Sequence, residues 1–380
     1  MTVLSEARAD SFPLAYSEAE TWTDIADDLV KNLSAGQADA GGLGVLYLSD
    51  ICAQDFGAIA ERLKSETGIE TWIGTLGLGV LADNRTAIDR PAAAAMVLDI
   101  GTDAYRLIAR TPIPDRWPDD LIRWAETVNP ICALVHADGT TPALADLIKA
   151  LSTRSGAFLV GGLTCSRTQQ HQLAGDLGAG GVSGVLFAPD VPVTVGLTQG
   201  CSPLGPSHEI TAGEGNVIVE IDGRPALDVF KEDIGEMLAH DLQRVAGYVH
   251  VAFPVSGADG EADYLVRNLV AIDADNDLLA VATEVVPGDR VMFVRRDPQS
   301  AQKDLQRMLD DVKKRMPGKA RGAVYVSCVA RGPSMFGSES AEAQQVSAGL
   351  GDVPVIGFYA GGEISNDRLY GYTGVLLVFG

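Results

Sequence analysis

The sequence predicts an α/β protein of layered mixed sheets with helices outside, interrupted by an antiparallel meander. Three observations carry that reading. Runs rich in β-branched residues alternate with helical patterns. The alternation recurs three times, each time with a glycine at the end of the second strand. A series of short strands separates the second recurrence from the third.

The first unit opens with a buried strand from Gly44 to Ser49, followed by a helix from Asp55 with Phe56, Ile59 and Leu63 on one face. Its second strand, Thr71 to Gly74, runs into the turn Thr75-Leu-Gly-Leu-Gly79, and an apolar strand from Ala94 to Leu98 completes it. The second unit repeats the order with a strand from Ile131 to Val135 and a helix capped by Thr141, with Pro142 at its first turn. Leu144, Leu147, Ile148 and Leu151 form the inward face of that helix, Phe158 to Gly162 is the glycine-ended strand, and Gly184 to Phe187 closes the unit. In the third, Ala323 to Cys328, a helical stretch from Glu339 to Leu350, Val353 to Gly357 and Gly374 to Phe379 take the same places. The first strand and the glycine stand 29 positions apart from Val45 to Gly74, 28 from Ala133 to Gly161 and 33 from Val324 to Gly357, which favours duplication. Between the second and third units come a strand from Ile218 to Gly223 and an amphipathic helix from Ala226 to about Val245. Strands at Val249 to Pro254, Leu265 to Asp273, Leu278 to Val285 and Arg290 to Arg295 follow, and then a helix from Gln299 to Met316.

Composition excludes several classes of function. With 29 Lys and Arg against 51 Asp and Glu in 380 residues, the net charge of −22 repels phosphate backbones and anionic membrane surfaces, so neither nucleic acid nor membrane is expected as a partner. The 46% hydrophobic content supplies a large core, and the length predicts about two domains. No apolar run reaches the length of a signal peptide or a membrane helix. Five cysteines, odd in number and never spaced C-x-x-C, read as reduced thiols in a cytoplasmic protein.

Two motifs imitate chemistry and fail on context. Gly77-Leu-Gly79-Val-Leu-Ala82 matches a dinucleotide fingerprint, with Asp99 near the expected distance for a ribose contact, but Pro91 denies it the helix that would face a pyrophosphate. Asp273-Ala-Asp275-Asn-Asp277 with Glu284 imitates a calcium loop, yet Leu278 stands where the sharp turn needs glycine, leaving a hairpin turn. The five histidines, His136, His171, His208, His240 and His250, lack any spacing that places two on one helical face, so no metal site is expected. A single imidazole suffices for haem, and His136 and His171, at strand ends, are the candidates for that role.

The sharpest constellation is Ser327-Cys328-Val-Ala-Arg331-Gly332 at one strand end and Gly357-Phe-Tyr359-Ala-Gly361-Gly362-Glu363 at another. If the strands are neighbours, a thiol, a guanidinium and a carboxylate converge. Arg331 would then activate Cys328 as a nucleophile, fork a ligand carboxylate, or pair with Glu363 to hold two loops together. No histidine follows within the motif to serve as base, so a Cys-His protease arrangement is not indicated.

The run from Gly161-Gly162 through Gly200-Cys-Ser-Pro-Leu-Gly205 to Gly215-Asn-Val-Ile-Val-Glu-Ile-Asp-Gly223 resembles the end of a FIST amino-terminal domain. The Ser327 to Gly332 and Val355 to Ile364 blocks resemble the FIST carboxy-terminal domain. The resemblance implies an amino-terminal extension over 1–29, a FIST amino-terminal domain over 30–213 and a carboxy-terminal one over 214–380. It further implies a cytoplasmic sensor of small ligands such as amino acids, signalling through a separate protein such as a kinase or cyclase. One bacterial branch of the family is reported to bind haem and sense nitric oxide. The ligand would contact Cys328, Arg331, Gly357, Tyr359, Gly361, Gly362 and Glu363, together with Gly161, Gly162 and Thr164. The alternatives are haem held by His136 or His171, and an enzyme using Cys328. In the first unit Thr75-Leu-Gly-Leu-Gly79 departs from the small-Gly-Glu run common in the family.

Overall fold

Apolar runs flanked by turns become central strands, and the computed structural model arranges them three times in one pattern. It describes residues 10–34, 42–114, 116–235, 242–245, 247–255, 263–351 and 353–380, and His240 lies outside the described residues. The first repeat holds β1 (Leu14–Ser17), β2 (Leu43–Ser49), β3 (Thr71–Gly77), the hairpin β4 (Gly79–Ala82) and β5 (Arg85–Ile88), and β6 (Ala93–Leu98). The second holds β7 (Tyr105–Thr111), β8 (Cys132–Ala137), β9 (Phe158–Leu163), the hairpin β10 (Gln172–Ala174) and β11 (Asp176–Gly178), and β12 (Val182–Phe187). After β13 (Val193–Thr198) come β14 (Cys201–Pro203), β15 (His208–Glu214), β16 (Val217–Ile221), β17 (Arg224–Pro225), β18 (Val249–Pro254), β19 (Tyr264–Asp273), β20 (Leu278–Val281) and β21 (Arg290–Arg296). The third repeat closes the chain with β22 (Gly322–Cys328), β23 (Val355–Ala360), the hairpin β24 (Glu363–Ser365) and β25 (Arg368–Tyr370), and β26 (Gly374–Phe379). The contacts divide the chain into two compact units, Met1–Thr198 with Lys303–Leu369 and Thr373–Gly380, and Gln199–Gln302 with Tyr370–Tyr372.

The first unit contains three six-stranded sheets, ordered β1-β6-β2-β3-β10-β11, β7-β12-β8-β9-β24-β25 and β13-β26-β22-β23-β4-β5. In each, the two central strands, β2 and β3, β8 and β9, or β22 and β23, run parallel, and the closing strand, β6, β12 or β26, lies antiparallel to the first of that pair. A parallel pair needs a crossover, which the helices Phe56–Thr67, Leu144–Ser155 and Ala341–Leu350 supply. The hairpin after each pair leaves its own sheet. Hairpin β4–β5 joins the third sheet, β10–β11 the first and β24–β25 the second, so the repeats exchange hairpins in a closed cycle.

The recurrent glycine has a packing cause. Gly74, Gly161 and Gly357 pair with Leu46, Val135 and Tyr325. A Cβ at each would lie 1.8, 1.8 and 1.9 Å from the partner's carbonyl oxygen. The inner faces share one core that includes Val45, Tyr47, Leu134, Val160, Val326 and Phe358. On the outer faces, Leu46 and Leu48 meet Phe56, Ile59 and Leu63, while Val135 and Ala137 meet Leu147, Ile148 and Leu151. Burial of each large aliphatic side chain contributes about 2 kcal/mol.

In the second unit the expected meander closes on itself. Strand β21 pairs with both β18 and β15, completing a six-stranded antiparallel ring β15-β16-β20-β19-β18-β21. Ile218, Val249, Val251, Leu279, Val291 and Phe293 fill it. Closure satisfies strand edges that an open meander would expose.

Local differences from the sequence reading have local causes. The helix from Ala226 ends at Ile234, where Gly235 takes φ +78, and Leu242–Val245 is a separate helical turn, with residues 236–241 outside the described residues. Thr141 does not cap the following helix. Its hydroxyl accepts the Gly181 N–H at 2.7 Å, and the helix starts at Leu144 after Ala143. The fingerprint-like Gly79 begins hairpin β4–β5, and Asp273 accepts the N–H groups of Asp275 and Asn276 in the turn between β19 and β20. Among the described residues no helix is long and apolar enough to cross a membrane.

Candidate functional site

The outer face of the third sheet is polar where the other two are apolar. Strand register sets Tyr325 and Ser327 at the places held by Leu46 and Leu48 in the first sheet and by Val135 and Ala137 in the second. Over them the helix Ala341–Leu350 buries Glu342 among Ala343, Val346 and Leu350. Glu342 Oε1 accepts bonds from the Tyr325 hydroxyl at 2.8 Å and Arg331 Nε at 2.7 Å, and its Oε2 accepts from Ser327 Oγ at 2.9 Å. Arg331 is 1% exposed and Glu342 fully buried. Gly374 makes room for this arrangement, since a Cβ there would lie 2.3 Å from the Tyr325 hydroxyl oxygen.

Arg331 begins the short helix Gly332–Phe336, and its guanidinium lies 5.1 Å from the centre of the Phe336 ring. Burial opposes its charge, but Tyr325 and Glu342 beside it hold its pKa above the ordinary arginine value. Among the described residues only the Nε edge is bonded. Nη1 and Nη2 are buried with no hydrogen-bond partner among the described residues. A buried N–H left unbonded costs about 1–3 kcal/mol, so the open edge of this fork requires an explanation.

Glu363 follows the glycine turn after β23 and pairs with Gly162 on β9. Its Oε2 accepts the N–H and hydroxyl of Thr373 at 3.1 and 2.7 Å, whereas Oε1 is buried without a partner among the described residues. Burial pushes the Glu363 pKa up to about 8, against the opposing pull of Thr373, Cys328 and Arg331. Near neutral pH the carboxyl therefore retains its proton and can donate as well as accept.

The structure brings Arg331, Cys328 and Glu363 into one neighbourhood, with Cys328 bonding Glu363 and the Arg331 charge acting on the same carboxyl. Tyr359 contributes a buried ring, and its hydroxyl neighbours Thr86. The exposed Gly361 borders Cys165, whose Sγ would lie 3.6 Å from a Cβ placed there. The Gly362 carbonyl accepts the Leu163 N–H at 2.8 Å. Gly162 has no space for a side chain, because Val326 Cγ1 would stand 2.7 Å from its Cβ. Gly161 and Gly357 serve the strand pairs already described, and Thr164 bonds Thr75 at 2.6 Å. Sequence reasoning offered Glu363 as one partner for Arg331 and missed Glu342, Tyr325, Ser327 and Thr373. The available signal was Glu342 itself, a carboxylate on a helix face otherwise made of Ala343, Val346, Gly349 and Leu350.

Sequence models of the FIST N domain and the FIST C domain match residues 42–224 and 226–366. The chain belongs to the FIST family. FIST domains are associated with sensing in signal transduction. Uncharacterized protein Rv0628c of Mycobacterium tuberculosis is 26% identical over 94% of this chain and 88% of its own length. Uncharacterized protein Mb0898c of Mycobacterium bovis is 31% identical over half of each chain.

The histidines of this FIST chain differ in what they offer a haem. His136 is fully buried, with Nε2 3.0 Å from the Tyr47 hydroxyl and its ring packed against Tyr47 and Phe358. Burial pushes its pKa down to about 3, so the ring is neutral, but no face is clear for a porphyrin. His136 does not fit that role. His171 is half-buried, and its pKa is lowered by burial and by the charge of Arg110.

Proposed function

We propose that this FIST chain is a cytoplasmic sensor of a small anionic metabolite, amino-acid-like in its simplest form, that passes its state to a separate signalling protein such as a kinase or cyclase. The observation that carries the reading is the Arg331 fork, pinned at Nε by Glu342 with both Nη groups buried and unbonded among the described residues. A ligand carboxylate would take that edge in a bidentate bond, which is charge-assisted and strong in a desolvated setting. The unpartnered Glu363 Oε1 offers a second contact for an amine or hydroxyl. Gly361 and Val329, just past the ends of the strands that carry the site, are exposed. In a chain of net charge −22, a buried arginine is the feature that selects an anion.

The test is native mass spectrometry of the freshly purified protein and of Arg331→Lys, with release and identification of any small molecule. Lysine retains the charge and loses the fork. A carboxylate released from the parent and absent from a folded Arg331→Lys is expected. The same molecule from both proteins would refute the Arg331 role. A haem mass would replace the reading with the gas-sensor alternative, and thermal unfolding unmoved by a panel of amino acids would defeat it for a ligand-free preparation.

A further inference from the structure

Two carboxylates meet the two ring nitrogens of one histidine in the barrel of the second unit. His208, the first residue of β15, has Nδ1 2.7 Å from Asp222 Oδ2 and Nε2 3.0 Å from Asp233 Oδ2. Asp222 stands in the turn between β16 and β17 with φ +50, and its other oxygen accepts the Glu209 N–H at 2.9 Å. Asp233 lies in the last turn of the helix Ala226–Ile234, whose Leu227, Phe230 and Ile234 belong to the barrel core. The His208 and Asp233 side chains are only 12% and 10% exposed. Gly205 packs directly on that carboxyl, since a Cβ there would lie 2.3 Å from Asp233 Cγ.

Counting hydrogens fixes the state of this cluster. A neutral imidazole has one N–H and one bare nitrogen, and an ionised carboxylate only accepts. Both contacts are hydrogen bonds only if the ring carries two hydrogens or the Asp233 carboxyl carries one. Either way the cluster holds one proton more than a neutral ring between two carboxylates. Burial opposes a charge on His208, but the bonds to Asp222 and Asp233 outweigh it and raise its pKa, and burial raises that of Asp233 as well. The Glu209 N–H, and after it His208, hold Asp222 below the usual carboxylate range, so the proton lost first is the one between Nε2 and Asp233. Its loss sets two acceptors face to face at a helix end where the backbone dipole already disfavours an anion. No other charge among the described residues takes its place. Glu209 is exposed, Arg224 is bound to Glu232, Arg290 bonds Ser207 and acts on Asp222, and Asp289 accepts the Val286 N–H.

We infer that His208 is a proton-dependent latch, which ties the last turn of the helix Ala226–Ile234 to β15 while the shared proton is present and releases that turn as rising pH removes it. The device is independent of Arg331. Its stabilisation is whole below the ordinary histidine value of 6.5 and lost as pH rises through the higher folded value. The test follows the His208 ring protons and the exchange protection of the Gly235 amide in the full chain, from about pH 6 to about pH 9. That amide donates to the Lys231 and Glu232 carbonyls and so reports on the last turn. The ring is expected to titrate above 6.5. Over the same interval the Gly235 protection factor should fall about tenfold or more, while the Val281 amide, bonded to the Asn216 carbonyl, keeps its own. Asp233→Asn should abolish the step, because an amide either accepts from Nε2–H or donates to a bare Nε2. His208→Gln, which bonds a carboxylate and does not titrate, should do the same and decides the matter if Asp233→Asn does not fold. A ring titrating at or below 6.5, Gly235 protection that is constant with pH or lost equally at Val281, or a step that survives in either folded variant would overturn the inference.

Discussion

The first and third sheets share strand order, parallel register and the glycine that lets the central pair approach, yet the layer between sheet and helix differs completely. In the first it is hydrocarbon, with Leu46 and Leu48 against Phe56, Ile59 and Leu63. In the third it is Tyr325, Ser327, Arg331 and Glu342, bonded to one another and sealed from water. Topology therefore does not require polar side chains there. A buried ion pair rarely adds stability over a hydrocarbon of similar volume, because desolvation offsets the attraction. The third sheet retains a costly interface that its sister sheet does without.

That comparison can be broken first at what the sheets share. Gly74→Ala, Gly161→Ala and Gly357→Ala should each destabilise by more than about 4 kcal/mol, because each Cβ would collide with a carbonyl less than 2 Å away. The readout is thermal unfolding of the soluble fraction, and any one of the three melting near the parent would show that its repeat is not built like the others. The next effect separates the sheets. Glu342→Leu leaves Arg331 buried without its carboxylate and should cost about 3–5 kcal/mol, while the double variant Arg331→Met with Glu342→Leu should recover most of that loss. Urea denaturation measures both, and a double variant no more stable than the single would show that the pair is not the coupled unit described.

The smallest effect is a dependence on pH. Glu363 is more basic in the folded chain than in the unfolded one, where its pKa is near 4.5, so folding takes up a proton between that value and about 8. Its stabilisation is whole below the unfolded pKa and declines as pH rises through the folded one. Glu363→Gln should flatten that decline in a series of melting temperatures, and an unchanged slope would mean that the carboxyl ionises as it does in water. His136 acts with the opposite sign, its stabilisation being present above about pH 6.5 and lost as pH falls toward 3.

Much of the architecture was legible in the sequence because it rests on local pattern. Apolar runs followed by helices of matching period fixed the three strand-helix-strand units, and Gly74, Gly161 and Gly357 marked the same step in each. The candidate site was half legible. Cys328, Arg331 and Glu363 stand at strand ends where a parallel pair brings them together. Glu342 is remote from that motif in register and reaches it only because its helix packs over β22. Pairing Arg331 with Glu363 was one of the readings that two charged loops allowed, but Thr373 binds the Glu363 carboxyl and Glu342 takes the guanidinium.

By itself the sequence determined which segments are strands and helices, which face of each is apolar, and where a side chain has no room. These follow from residue periodicity and backbone sterics, both local. Tertiary structure alone decided that the hairpins exchange sheets in a cycle, that β21 closes the meander into a barrel, and that Glu342 takes the Nε edge of Arg331. Backbone hydrogen bonds carry no side-chain signature of their partner strand. The bonding of a buried charge likewise depends on which distant groups the completed fold sets around it.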